Sequence, residues 1–140
     1  MANKKKTSGV SALPALLLIS SVLIEVVIVG VVLANALNNS RFNERLAGEA
    51  YAAARAGAED AMLKVIRYKN CPTSPGCPSS FTLTVGSRSA NVTITDSGGG
   101  VITIESTGTA LLRQKKVEVI LGVSPTTGEV SLQSFEEVSL

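Results

Sequence analysis

The chain has 140 residues, with 13 Lys and Arg, 11 Asp and Glu, no His, two Cys and a net charge of +2. Lys4, Lys5 and Lys6 set against Glu25 account for that whole excess, so residues 41–140 are neutral and offer no basic surface for nucleic acid. Without His, and with one cysteine pair, most metal centres and His-based catalysis are excluded.

Five segments follow in chain order: a basic leader (1–9), an apolar helix (10–37), an amphipathic helical continuation (38–69), a Cys/Pro loop (70–80) and a small β-domain (81–140). Residues 10–37 read VSALPALLLISSVLIEVVIVGVVLANAL, a run of 28 residues whose one charge is Glu25. A bilayer core about 30 Å thick needs about 20 helical residues at about 1.5 Å each, so this run is expected to span a membrane. The remaining residues are too few to wrap it on all sides. The three lysines before it predict an N-in, C-out topology in the cytoplasmic membrane. Pro14 sits where a helix's first turn tolerates proline, because that turn's N–H groups lack intrahelical partners. Glu25 is either a snorkelling side chain on an ordinary anchor or a polar contact to a helix of another chain.

Three fates of the segment are open. It is an uncleaved anchor, a secretory signal cut after Ala34-Asn35-Ala36 before Leu37, or a helix whose leader is cut on the cytoplasmic side. An ordinary secretory h-region is much shorter than this run and carries no Glu, which disfavours the second.

Residues 38–69 keep a helical period. Leu46, Ala50, Ala53, Gly57, Ala61 and Ile66 recur at helical spacings, with charges between them. Ser40, after Asn38-Asn39, is expected as a break or N-cap at the membrane edge. Arg45 and Glu49 have the i,i+4 spacing in the less favoured order, whereas Glu59 and Lys64 are five apart. Ten of the fifteen residues from Ala47 to Ala61 are Ala or Gly. That density reads either as helix propensity or as a face for close packing against neighbouring helices.

Three prolines and a glycine in Cys71-Pro72-Thr73-Ser74-Pro75-Gly76-Cys77-Pro78 stop the helix. The C-x₅-C spacing without His makes a poor zinc site and is no C-x-x-C redox motif. Outside the cytoplasm a Cys71–Cys77 disulfide is expected, with free cysteines the alternative.

From Phe81 the period becomes two: Phe81/Leu83/Val85, Ala90/Val92/Ile94, Ile102/Ile104, Val117/Val119/Leu121/Val123 and Val130/Leu132. Turns are expected at residues 86–89, 96–100, 107–109 and 125–128. Short connections predict an antiparallel meander of four or five strands, its apolar face meeting Met62, Val65 and Ile66 of the helix. The expected fold class is α+β: a long N-terminal helix packed on a small C-terminal antiparallel sheet. Arg113, Lys115 and Lys116 read as the exposed start of a strand.

The leader Lys4-Lys5-Lys6-Thr7-Ser8-Gly9, followed directly by Val10-Ser11-Ala12-Leu13, resembles that of type IV prepilins and pseudopilins. Glu49-Ala50-Tyr51-Ala52-Ala53-Ala54-Arg55-Ala56-Gly57-Ala58-Glu59-Asp60-Ala61-Met62 resembles the A-x-x-A-G-x-E-D-A segment of PilX-like minor pilins. The resemblance covers about residues 4–66. It implies cleavage between Gly9 and Val10 by a prepilin peptidase and methylation of the new N-terminus. It further implies a helix that packs with those of other pilin-like subunits in a filament. Filament-forming members usually carry Glu at the fifth mature position; here Pro14 stands there, and Glu25 lies roughly three turns deeper. The departure points to a minor or divergent subunit.

The expected function is therefore structural, in a type IV pilus-like or secretion pseudopilus-like filament, with no enzymatic activity and no cofactor. The alternative is an uncleaved single-pass protein that displays a small extracytoplasmic β-domain for binding.

Overall fold

The computed structural model describes residues 12–68 and 70–140. It comprises two compact units, Met1–Arg41 and Phe42–Leu140. The elements are one helix, α1 (Ala12–Arg67), and five strands, β1 (Ser80–Val85), β2 (Arg88–Gly98), β3 (Val101–Ala110), β4 (Arg113–Val123) and β5 (Val130–Val138). The architecture is α+β.

In the first unit the described residues are helical and exposed throughout. Pro14 falls in the first turn of α1, where its missing N–H leaves no intrahelical bond unmade. Helix continues through Asn38, Asn39 and Ser40, so the expected break at Ser40 does not occur. Three modest helix formers each lose under about 1 kcal/mol against alanine, too little to interrupt a helix with good formers on both sides.

In the second unit α1 buries Leu46, Ala50, Ala53, Ala54, Gly57, Ala58, Ala61 and Val65. These positions recur every three or four residues and form one stripe. The stripe lies on a five-stranded antiparallel meander, in the spatial order β1-β2-β3-β4-β5. Val92, Ile94, Ile104, Val117 and Val119 fill the middle of the core, with Tyr51, Met62, Phe81 and Phe135 packed around it. Of the helical residues expected at this face, Val65 is buried and Met62 packs on the core, but Ile66 is exposed. Ile66 is one residue, about 100°, past the stripe.

Helix α1 ends at Arg67, and Tyr68 N donates back to Lys64 O at 2.9 Å. Lys64 and Arg67 put positive charge on the last turn, where the helix dipole favours it. The expected end, Lys69, lies outside the described residues. Three i,i+4 ion pairs line the helix: Arg45–Glu49 at 3.1 Å, Arg55–Glu59 at 2.8 Å and Asp60–Lys64 at 2.7 Å. The last two were not legible in the five-residue step from Glu59 to Lys64. Glu59 raises the pKa of Arg55 above its ordinary value, first through their hydrogen bond and then through its charge.

The expected turn at Thr107-Gly108-Thr109 is instead the middle of a strand. β3 alternates strictly, with Ile102, Ile104, Ser106, Gly108 and Ala110 inward. The chain turns two residues later, where Ala110 pairs with Arg113 across Leu111-Leu112. Leu111 has φ 51°, in the left-handed region. A leucine there is strained by about 1–2 kcal/mol, which glycine avoids. The β2–β3 turn uses Gly98, Gly99 and Gly100 at φ 65–81°, with Gly98 N donating to Asp96 Oδ1 at 2.9 Å. On the edge strand, Leu132 is exposed although it pairs with Leu121. The close contacts of the helix fall on β2 and β3, leaving that part of β5 uncovered.

Candidate functional site

The residues singled out in the sequence separate into three places. Lys4, Lys5, Lys6, Gly9 and Val10 lie outside the described residues. Glu25 is in the helical part of the first unit, and Cys71 and Cys77 are in the second unit.

Helix α1 is long and apolar enough to cross a membrane, and none of its most apolar stretch is buried. Leucine, isoleucine and valine side chains from Leu13 to Leu37 stand exposed on every face. A helix apolar all round is stable only where lipid or other protein surrounds it. Ser21, one turn before Glu25, donates its hydroxyl to Leu18 O at 2.9 Å, a helix-internal bond that satisfies the hydroxyl in an apolar setting. Glu25 makes no ion pair among the described residues and points out of the helix surface with its apolar neighbours.

The alanine-rich stretch does something the sequence left open. Most of its small residues pack on the protein's own sheet, not on a neighbouring helix. A Cβ on Gly57 would come within 2.6 Å of Ser106 Oγ, 2.8 Å of Val92 and 2.9 Å of Ala90. A Cβ on Gly108 would run into the backbone of Ala50 and Ala54. Small residues on both partners thus bring helix and sheet together at backbone distance. Ser106 is fully buried there, and its hydroxyl finds no hydrogen-bond partner among the described residues. Gly48 and Ala52 remain on the exposed face.

A charged clasp closes one end of this contact. Glu49 accepts from Arg88 Nε at 3.1 Å and sits 3.0 Å from its second nitrogen, while Arg45 approaches from the same helix. The Arg88 fork grips the carboxylate with two nitrogens, which fixes geometry as well as charge. Both partners are partly exposed, so screening limits their contribution. Arg88→Ala is expected to lower the unfolding free energy by about 1 kcal/mol, read from urea denaturation followed by circular dichroism. An unchanged midpoint would show that the clasp contributes nothing. Nothing in the sequence announced it, because the partners are 39 residues apart.

Cys71 and Cys77 sit as a disulfide pair, with Cα atoms 5.3 Å apart. Cys77 is fully buried and joins the core. Asn70 O organises the loop, accepting from Thr73 N and Ser74 N at 2.9 Å and from the Thr73 hydroxyl. Gly76 lies against the Tyr68 ring, where a Cβ would overlap it. A shallow groove beside this loop is lined by Val65, Tyr68, Cys71, Ile102, Val123 and Gly128.

At the β4 start, Lys115 pairs with Glu137, and Lys116 pairs with Glu105 at 2.8 Å. Arg113 is exposed and makes no ion pair among the described residues. Among the described residues no group of three or more Cys, Asp or Glu side chains is placed to hold a metal ion. Comparison with protein-family models, with curated proteins and with solved structures finds no match to this chain.

Proposed function

We propose that this chain is a minor or divergent subunit of a type IV pilin-like filament, held in the cytoplasmic membrane before assembly. The observation that carries the reading is an uncovered apolar helix whose continuation packs an alanine and glycine face on a small antiparallel meander. The basic leader ending at Gly9 supports processing by a prepilin peptidase, with Val10 as the mature N-terminus. Lys4, Lys5 and Lys6 hold the leader on the cytoplasmic side, and the second unit lies outside, where the Cys71–Cys77 bond persists. In the membrane the apolar helix is solvated by lipid. In the filament the same surface is covered by the helices of other subunits, and Glu25 meets a polar group of one of them. The role is structural rather than catalytic.

N-terminal sequencing of membrane-extracted protein tests the reading. The expected start is a methylated Val10, with the protein recovered in sheared surface fibres and Gly9→Val blocking the cut. Pro14 at the fifth mature position favours a second reading, an uncleaved anchor that displays the β-domain for binding. That reading requires a Met1 start and an empty fibre fraction. A Leu37 start would reject both.

A further inference from the structure

The β3–β4 hairpin tip combines two unfavourable choices. Leu112 is 97% exposed and Leu111 is 71% exposed. Leu111 also adopts a left-handed backbone conformation. Asn-Gly would close the same two-residue turn without strain and without apolar surface. Nothing within the second unit covers either leucine. Two adjacent leucines at a turn, one of them strained, are compensated only if the tip meets an apolar medium.

The direction of the tip identifies that medium. Gly108, two residues before the strand ends, lies on the backbone of Ala50 and Ala54. Arg88, in the neighbouring strand, holds Glu49. The tip is therefore at the end of the second unit where α1 enters it, near Leu46. The opposite end carries Tyr68, Cys71 and the loop through Gly128. Leu37, the last residue of the apolar run, precedes Leu46 by nine positions, about 14 Å of helix. Headgroups extend the bilayer by about 5–8 Å on each side of its core, and spanning helices tilt by about 20° on average. Beside the leucines stands Arg113, a cation without an ion-pair partner among the described residues. Apolar side chains next to a free arginine match the interface of an anionic bilayer.

We propose that Leu111-Leu112, with Arg113, is a membrane-surface contact that docks the second unit on anionic phospholipid. The inference rests on the membrane-anchored half of the function proposed above, not on filament assembly. The docked tip restrains the β-domain close to the bilayer, and releasing it frees that domain to move away.

The chain has no Trp, so a single introduced tryptophan reports its own surroundings. The full chain is reconstituted into phosphatidylcholine–phosphatidylglycerol vesicles with or without brominated acyl chains. Leu112→Trp is expected to emit to the blue of free indole and to be quenched about twofold by the brominated lipid. Arg113→Glu in the same background is expected to reduce that quenching. Thr126→Trp, at the opposite end, is expected to stay unquenched. Leu23→Trp, inside the apolar run, reports the anchor separately. If Leu23→Trp is quenched while Leu112→Trp emits as in water, the tip contact is overturned and the anchor stands. If Leu23→Trp is not quenched, the anchor itself is overturned, and the tip contact with it. Emission from Leu112→Trp that is blue-shifted, insensitive to bromine and dependent on protein density would assign the tip to a second copy and overturn the lipid contact.

Discussion

Gly108→Val is expected to lower the unfolding free energy by about 3 kcal/mol and to loosen the helix from the sheet. The strand is regular at Gly108, so backbone conformation is not what excludes a side chain. What excludes it is that a Cβ would meet Ala50 O and Ala54 N, backbone atoms of a helix that cannot swing aside as a rotamer can. Relief requires moving the whole helix face. That would open the layer between Ala50, Ala54 and β3 and disturb Ala110, which is buried just beyond. Gly57→Ala is expected to be milder, because two of its three neighbours are side-chain atoms of Ser106 and Val92 that can shift. Gly48→Ala is the control. Its Cβ meets nothing, and an alanine in a helix interior is favoured over glycine by about 0.5–1 kcal/mol. Urea denaturation in detergent, followed by circular dichroism, separates the three. A Gly108→Val protein as stable as the parent would mean that the helix does not pack on the sheet at this distance.

The double substitution Leu23→Arg with Val27→Arg is expected to remove the protein from the membrane fraction. Each arginine at the centre of a spanning helix is disfavoured by about 2.5–3.5 kcal/mol on insertion scales. Together they approach about 6 kcal/mol, a factor of roughly ten thousand in the insertion equilibrium. Both positions are two residues from Glu25 and do not face it on a helix, so it offers little neutralisation. They are four apart and repel each other. The uninterrupted apolar runs left on either side are each shorter than the bilayer requires. Flotation of membranes and extraction at alkaline pH give the readout. A variant that still floats and resists extraction would show that this helix is not what holds the protein in lipid.

The meander was legible because alternation is a local property. Wherever an inward face carried Val, Ile, Leu or Phe, the strands could be placed within a few residues, and their short connections implied antiparallel neighbours. The reading failed where the inward face carried no hydrophobic signal. In β3, Ser106, Gly108 and Ala110 continue the inward set begun by Ile102 and Ile104. A glycine between two threonines resembles a turn when judged alone. The period-two count carried forward from Ile102 would have kept the strand going, and the break in alternation at Leu111-Leu112 would have marked the real turn.

The candidate membrane segment was the most legible feature. A run of 28 residues with one charge settles by composition that water is a poor solvent for it, whatever the rest of the chain does. The cysteine pair was legible for a similar reason, since six positions of turn-forming sequence keep the two sulfurs close. Only the tertiary structure decided what the alanines are for, that Val65 and not Ile66 enters the core, and that Arg88 reaches Glu49. Periodicity reports which side of an element avoids water. It carries no measure of how closely two elements distant in the chain approach, and that separation is set by the side chains of both partners at once.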